Sequence, residues 1–206
     1  MRFETTTPAE ISRPIQKLCK EVAGSAEARF IPVRTDSEAG ALSAFDAVAR
    51  KVGQDGGSMQ PGWAIWQCAD ALIEAEFHAV WRSPDGELVD VAARPGGEQT
   101  ILFVEDARRS DTGAAVDSER RALRRDPLIE DFITLGRKQF LLLHGDPARD
   151  ADDAADRPAR MRRLAVSQLI VKNMLEKGQG GDDPCLCNSG KRYKNCHGKA
   201  VRSLRV

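Results

Sequence analysis

The chain has 206 residues, 41% of them hydrophobic and 30% charged, with a formal net charge of zero at pH 7. That length holds one domain of ordinary size plus a small appendage, with enough apolar material for a core. Balanced charge leaves no global field to recruit nucleic acid or anionic lipid, and no run of about 18 apolar residues is present to span a bilayer. The opening MRFETTTPAEISRP has no apolar stretch after Arg2, so no secretory signal is read and a cytoplasmic protein is expected.

In chain order, Cys19 falls on a first predicted helix. A strand is expected over 28–33, at an edge or irregular because Pro32 lacks an N–H. A helix is expected over 37–52, where Ala41, Ala44, Phe45, Val48 and Val52 recur at three and four and Asp36 or Ser37 can cap. Gly56-Gly57 ends it. Residues 63–104 read as a sheet opened by Trp63, Ile65 and Trp66, with strands over 72–81, 87–91 and 100–104. Ser83-Pro84-Asp85-Gly86 forms a turn, and Pro95-Gly96-Gly97 a loop.

A short helix is expected over 120–125 and a longer one over 128–143, with Ile129, Phe132, Ile133, Leu135 and Phe140 as its apolar set. His144 suits the C-terminal end of that helix dipole. Residues 146–156 are acidic and alanine-rich, a loop or linker. Pro158 suits the first turn of another helix, with Met161, Leu164, Val171, Met174 and Leu175 on one face, ended by Gly178, Gly180 and Gly181. The expected architecture is α+β, an antiparallel sheet packed with helices, plus a small C-terminal zinc knuckle. Its expected divisions are an α+β domain at 1–145, an acidic linker and amphipathic helix at 146–181, the knuckle at 182–199 and a basic tail at 200–206.

Of the five cysteines, Cys19 and Cys68 stand alone and read as small buried hydrophobes. Clustered cysteines in a reducing cytosol indicate metal rather than disulfide. Cys185, Cys187, Cys196 and His197 offer three thiolates and one imidazole in two close pairs, which matches a closed tetrahedral structural Zn2+ site with no position left for substrate. Ser189 and Gly190 can turn the chain, and Tyr193, the only tyrosine, supplies the aromatic that so small a core needs. Metal binding then supplies the folding energy of the segment.

The segment closely resembles the SEC-C motif, the zinc-binding tail of the bacterial preprotein-translocase ATPase SecA. That family reads C-x-C-x-S-G-x-x-Y-x-x-C followed by Cys or His. Cys185, Cys187, Ser189, Gly190, Tyr193, Cys196 and His197 meet every fixed position. Asn188 stands where glycine is commoner, a mild departure because Asn tolerates left-handed backbone angles. The resemblance implies a docking piece for a chaperone and the ribosome, although similar tails end many otherwise unrelated bacterial proteins. Lys191, Arg192, Lys194, Lys199, Arg202 and Arg205 have no acidic neighbour between 185 and 206. They read either as a positive patch suited to an acidic protein or an RNA backbone, or as a solvated tail.

The strings Gly62-Trp63-Ala64-Ile65-Trp66, Glu74 to Trp81 and Gly86 to Asp90 look like the body of uncharacterised bacterial proteins that also carry SEC-C tails. His78 and Asp90 lie on strands joined by one hairpin. With a three-residue loop at 84–86, His78 faces Ala92 and Asp90 is its diagonal neighbour. With a five-residue loop the two are directly opposite, and a two-residue loop sends them to opposite faces. An imidazole oriented by a carboxylate is half of a hydrolytic triad. The order helix, His, Asp resembles papain-like and transglutaminase-like folds. Those folds place a cysteine near the start of the helix, where this chain has Ser43, Ala44 and Asp46. Glu76 shares the face of His78, so Glu76, His78 and Asp90 also read as a metal or acid–base group, and a plain hairpin tie accounts for the pair as well. Trp63, Trp66 and Trp81 read as core or as the lining of a pocket. Three functions stand at this point: a zinc-binding adaptor that docks a partner protein through the knuckle, a hydrolase or transferase using His78 and Asp90, and an RNA- or ribosome-associated factor acting through the basic tail.

Overall fold

Alternation of inward and outward residues organises the middle of the chain, where Ala64 and Trp66 on one strand and Ile101 and Phe103 on another point into a shared core. The structure, a computed structural model, describes residues 3–24, 27–35, 42–94, 96–110, 113–145 and 156–203. The chain divides into two compact units, Thr5–Cys68 with Ile73–Arg121, and Met1–Glu4 with Ala69–Leu72 and Ala122–Val206. The architecture is α+β.

The first unit holds α1 (Arg13–Ala23), β1 (Arg29–Pro32), α2 (Ala44–Asp55), β2 (Ser58–Cys68), β3 (Leu72–Arg82), β4 (Leu88–Val89), β5 (Thr100–Glu105) and most of β6 (Glu119–Ala122). The strand order is β1-β5-β2-β3-β4, with β6 against β3. Pro32 places β1 at one end of this path, as its missing N–H requires. The two ends nevertheless meet. Val33 and Asp90 form a parallel bridge, the Arg34 N–H donates to the Asp90 carbonyl at 2.8 Å, and the Asp90 N–H donates to the Pro32 carbonyl at 3.0 Å. The sheet therefore closes on itself, which removes an exposed edge.

The interior is filled by Ile31, Ala64, Trp66, Val80, Leu88, Ile101 and Phe103. A second cluster packs α2 against β3 and its neighbours through Ala47, Val48, Ala79, Val89 and Val91. The helix expected over 37–52 runs instead from Ala44 to Asp55. Ser43 caps it, its hydroxyl accepting from the Asp46 N–H at 3.1 Å and donating to Asp46 Oδ2 at 2.7 Å. The other caps considered, Asp36 and Ser37, lie outside the described residues. Gly56 ends the helix at φ 74°, the left-handed geometry that glycine adopts without steric cost.

The β3–β4 register pairs Trp81 with Val89 and Arg82 with Leu88. The Ser83 N–H donates to the Glu87 carbonyl at 2.9 Å. This is the three-residue loop, and it puts His78 and Asp90 on the same face as diagonal neighbours. The expected helix over 120–125 is corrected: residues 119–122 are extended as β6. The helix propensity of Glu-Arg-Arg-Ala-Leu is a weak preference. Pairing to β3 overrides it, supported by Arg120 bridging Glu74 at 2.8 Å and Asp117 at 3.1 Å.

The second unit is helical, with α3 (Pro127–His144), α4 (Arg157–Glu176), a 3-10 turn at Tyr193–Asn195 and α5 (His197–Ser203). Pro127 starts α3 under an Asp126 cap, whose carboxylate accepts from the Leu128 N–H at 2.9 Å. Leu128, Ile129, Leu135 and Leu142 on α3 are buried, as are Leu164, Ile170, Val171, Met174 and Leu175 on α4. Phe3 packs edge-on against Phe132 at 4.8 Å, and its N–H donates to Glu176 at 3.0 Å. Of the acidic linker expected over 146–156, residues 146–155 lie outside the described residues. No helix among the described residues is long and apolar enough to cross a membrane.

Candidate metal centre and a buried histidine cluster

Backbone hydrogen bonds set the path of the C-terminal segment. Pro184 and Arg192 form an antiparallel bridge, and the Cys185 N–H donates to the Lys191 carbonyl at 2.9 Å. The intervening turn uses left-handed angles at Asn188 (φ 58°) and Gly190 (φ 71°). Asn188 thus occupies the conformation for which glycine is the default, and it is among the side chains that tolerate it. The 3-10 turn then returns the chain, with the Cys196 N–H donating to the Tyr193 carbonyl at 2.9 Å.

This path brings one ligand atom each from Cys185, Cys187, Cys196 and His197 within 4.8 Å of one another. Cys185 Sγ lies 3.3 Å from His197 Nδ1, Cys187 Sγ 3.5 Å from Cys196 Sγ, and Cys196 Sγ 3.6 Å from His197 Nδ1. Zinc–sulfur bonds of about 2.3 Å in a tetrahedron set sulfur separations of about 3.8 Å. The cluster therefore fits a zinc site, with all four positions taken by protein. Burial raises the Cys185 thiol to about 11, whereas the neighbouring Ser189 hydroxyl lowers the exposed Cys187 to about 6. Ser189 Oγ also lies 3.2 Å from Cys196 Sγ.

The matching family is the SEC-C motif, over residues 183–199. Residues 183–199 carry a SEC-C motif. Three curated proteins, each named "Protein translocase subunit SecA", are 36% identical to this chain over 63 residues. They come from Burkholderia orbicola (strains MC0-3 and AU 1054) and Burkholderia multivorans (strain ATCC 17616 / 249), and the match covers 27% of this chain and 7% of each relative. The chain thus spans a small fraction of the length of these relatives. No solved structure matches it.

The SEC-C knuckle is not a loose appendage. Tyr193 is 1% exposed, and its hydroxyl donates to the buried Asp131 carboxylate of α3 at 2.8 Å. Lys138 on α3 donates to the Val201 carbonyl of α5 at 2.7 Å. Two of the glycines that follow α4 are also tied: the Gly180 N–H donates to Asp183 at 2.6 Å, and the Gly181 carbonyl accepts from the Lys194 N–H at 2.9 Å. Burial raises the Asp131 carboxyl, while Tyr193 and Arg202 oppose the rise. Asp131 escaped the sequence reading, although a signal was present: it falls between Leu128 and Leu135, at three and four, where the apolar face of α3 calls for a core residue.

The expected basic patch is smaller than its composition implies. Arg192 and Lys194 pair with Asp182 at 3.2 and 2.6 Å, and Arg202 lies 3.5 Å from Asp131. Both acids lie outside the window 185–206 in which the basic residues have no acidic neighbour. Arg205 is outside the described residues.

In the sheet unit, His78 (3% exposed) and Asp90 (0%) come together, with His78 Nε2 3.1 Å from Asp90 Oδ1. His78 lies two residues from the inward-facing Val80 and so points into the same interior. A third group, not anticipated from sequence, completes the cluster. Arg94 donates from Nε to Asp90 Oδ2 at 2.6 Å, and its Nη2 lies 2.9 Å from His78 Nε2. Nε2 holds at most one proton, so it either donates to Asp90 or accepts from Arg94. The Ala92 N–H also donates to Asp90 Oδ1, at 3.1 Å. Burial pushes the Asp90 carboxyl up, but bonds from His78 and Arg94 more than offset this and hold it below the ordinary carboxylate range.

Above this plug, Arg94 lies 4.9 Å over the Trp66 ring, and Trp66 Nε1 donates to Glu76 at 2.8 Å. Glu76 is thereby committed to Trp66. Among the described residues the Cys and His set of the knuckle is the one metal-type grouping. A cavity of about 340 Å3 opens here, lined by Trp66, Glu74, Glu76, Arg94 and Glu98 among others, and neither His78 nor Asp90 lines it. Ser43 is the cap of α2. Cys19 and Cys68 are buried, and burial raises the Cys19 thiol to about 11. Trp63 lies buried against Phe77, 5.3 Å between rings, with its Nε1 donating to buried Asp106 at 3.2 Å.

Proposed function

We propose that this chain is a cytoplasmic zinc-binding interaction protein whose SEC-C knuckle forms a structural part of a partner-docking surface. The observation carrying this reading is the convergence of Cys185, Cys187, Cys196 and His197 into a closed set of four ligand atoms. Three thiolates and an imidazole favour Zn2+ over hard cations, and no position is left open for a substrate. The metal, when bound, supplies folding energy. The chain's own residues turn the loop at Asn188 and Gly190 and seat Tyr193 on Asp131. Similarity to subunits named for protein translocation supports a role in protein contacts. Cytoplasmic residence agrees with three clustered thiols that must stay reduced.

The His78, Asp90 and Arg94 cluster is proposed as a polar plug of the closed sheet. Supporting this are its burial and the ion pair by which Arg94 neutralises Asp90 beside the His78 ring.

The test is the metal content of the full chain after purification without added zinc, measured by mass spectrometry with native thiol titration. The expected result is one Zn2+ per chain, its loss in Cys187→Ser, and protection of the knuckle thiols until a chelator is added. A metal-free folded protein whose knuckle thiols all react at once would overturn the proposal.

A further inference from the structure

On α4, Arg162, Val166 and Leu169 follow one another at four and three and so share a face. Val166 is 52% exposed and Leu169 59% exposed, unusual for apolar residues in the middle of a packed helix. This face borders a groove of about 310 Å3 whose lining includes Leu135 of α3, Arg162, Arg163 and Val166 of α4, and His197 and Val201 of α5. Its floor is aliphatic, with Leu135 and Val201 at most 1% exposed. Among the described residues no carboxylate lines it. From Arg157 to Leu175, α4 carries four arginines and Lys172 with no acidic residue. Arg163 is engaged with Asp156 at 2.7 Å, whereas Arg162 stands exposed at the rim. His197 belongs to this wall and to the zinc-type ligand set alike.

We propose that this groove docks an acidic amphipathic segment of a partner protein, seating apolar side chains against Leu135, Val166 and Val201 and placing a carboxylate on Arg162. The inference rests on the adaptor reading and names the class of partner. An apolar floor with a basic rim is the complement of such a segment. RNA is a poorer fit, because among the described residues the lining has no Phe, Tyr or Trp and its floor is aliphatic. A second copy of the chain is also a poorer fit, because a two-fold contact would set the same arginines against each other.

The test uses the full chain, with zinc quantified in every sample, titrated into a fluorescein-labelled synthetic helix bearing leucines on one face and glutamates on the other. Comparison probes are a scrambled version, a leucine–lysine version and a labelled oligouridylate, with sedimentation run in parallel. The expected result is saturable binding of the leucine–glutamate peptide alone. Val166→Asp and Arg162→Glu should each weaken it by about tenfold or more, with unchanged helical circular dichroism and zinc content. Unaltered affinity in Val166→Asp, equal binding of the lysine peptide, preference for the oligouridylate, or a dimer that Val166→Asp dissociates would each overturn the proposal. Stoichiometric zinc without peptide binding sinks the groove and leaves the metal reading standing, while peptide binding without zinc does the reverse.

Discussion

Asp90 accepts from Arg94 and the Ala92 amide, with the His78 ring 3.1 Å away, where no water reaches it. Its folded carboxyl is more acidic than in the unfolded chain. The unfolded chain therefore binds the proton more readily between the folded value and the unfolded value of about 3.9, and stability rises with pH across that window. The contribution is complete above about pH 4 and is lost as pH falls through the folded value. Asp90→Ala should cost about 3–5 kcal/mol at neutral pH, because Arg94 is left buried without its partner. Urea unfolding followed by tryptophan fluorescence should show that gap to the parent closing as the solution is acidified below about pH 4. Tyr193 offers a second single-atom test. Tyr193→Phe removes the hydrogen bond to buried Asp131 and leaves Arg202 at 3.5 Å and the nearby Lys138 charge, and should cost about 1–3 kcal/mol. A change within error in the urea midpoint would show that the knuckle does not lean on α3 through that bond.

Among the elements, α5 depends on the absence of a side chain. A Cβ at Gly198 would lie 2.9 Å from the Tyr193 ring and 3.2 Å from the Tyr193 carbonyl. The ring itself is buried and held at its hydroxyl end by Asp131, so it cannot move aside freely. Gly198→Ala should therefore destabilise the knuckle by about 1–3 kcal/mol through overpacking. The expected readout is faster loss of zinc to a colorimetric chelator, with the sheet unit's tryptophan fluorescence unchanged.

For the whole molecule, the two units carry separate reporters. Trp63, Trp66 and Trp81 all belong to the sheet unit, while α3, α4 and the single tyrosine belong to the helical one. Metal that binds the folded knuckle stabilises the unit containing it by mass action. Chelator should lower the midpoint of the transition seen by circular dichroism at 222 nm and leave the tryptophan transition in place. Two transitions moving together would show that the units unfold as one.

Sequence alone determined the features whose physics is local. Four ligands within a short span, with a turn between them, specify a metal knuckle, because zinc chemistry narrows the residue types and the chain length narrows the geometry. The strand runs and turn residues of 63–104 pointed to the sheet and the turn at 83–86 to a hairpin, while the three-residue loop that puts His78 and Asp90 on one face was decided by the structure. Only the tertiary structure decided the rest. The closure of the sheet at Val33 and Asp90 depends on backbone groups that carry no sequence signal. Arg94 joins His78 and Asp90 because the loop after β4 folds back over the pair. Residues 119–122 are a strand because β3 is available to pair with them. Asp131 and Tyr193 meet across 62 residues of chain. A buried polar group needs its partner whatever the sequence distance, and which partner it finds is settled by the packing that brings the two together.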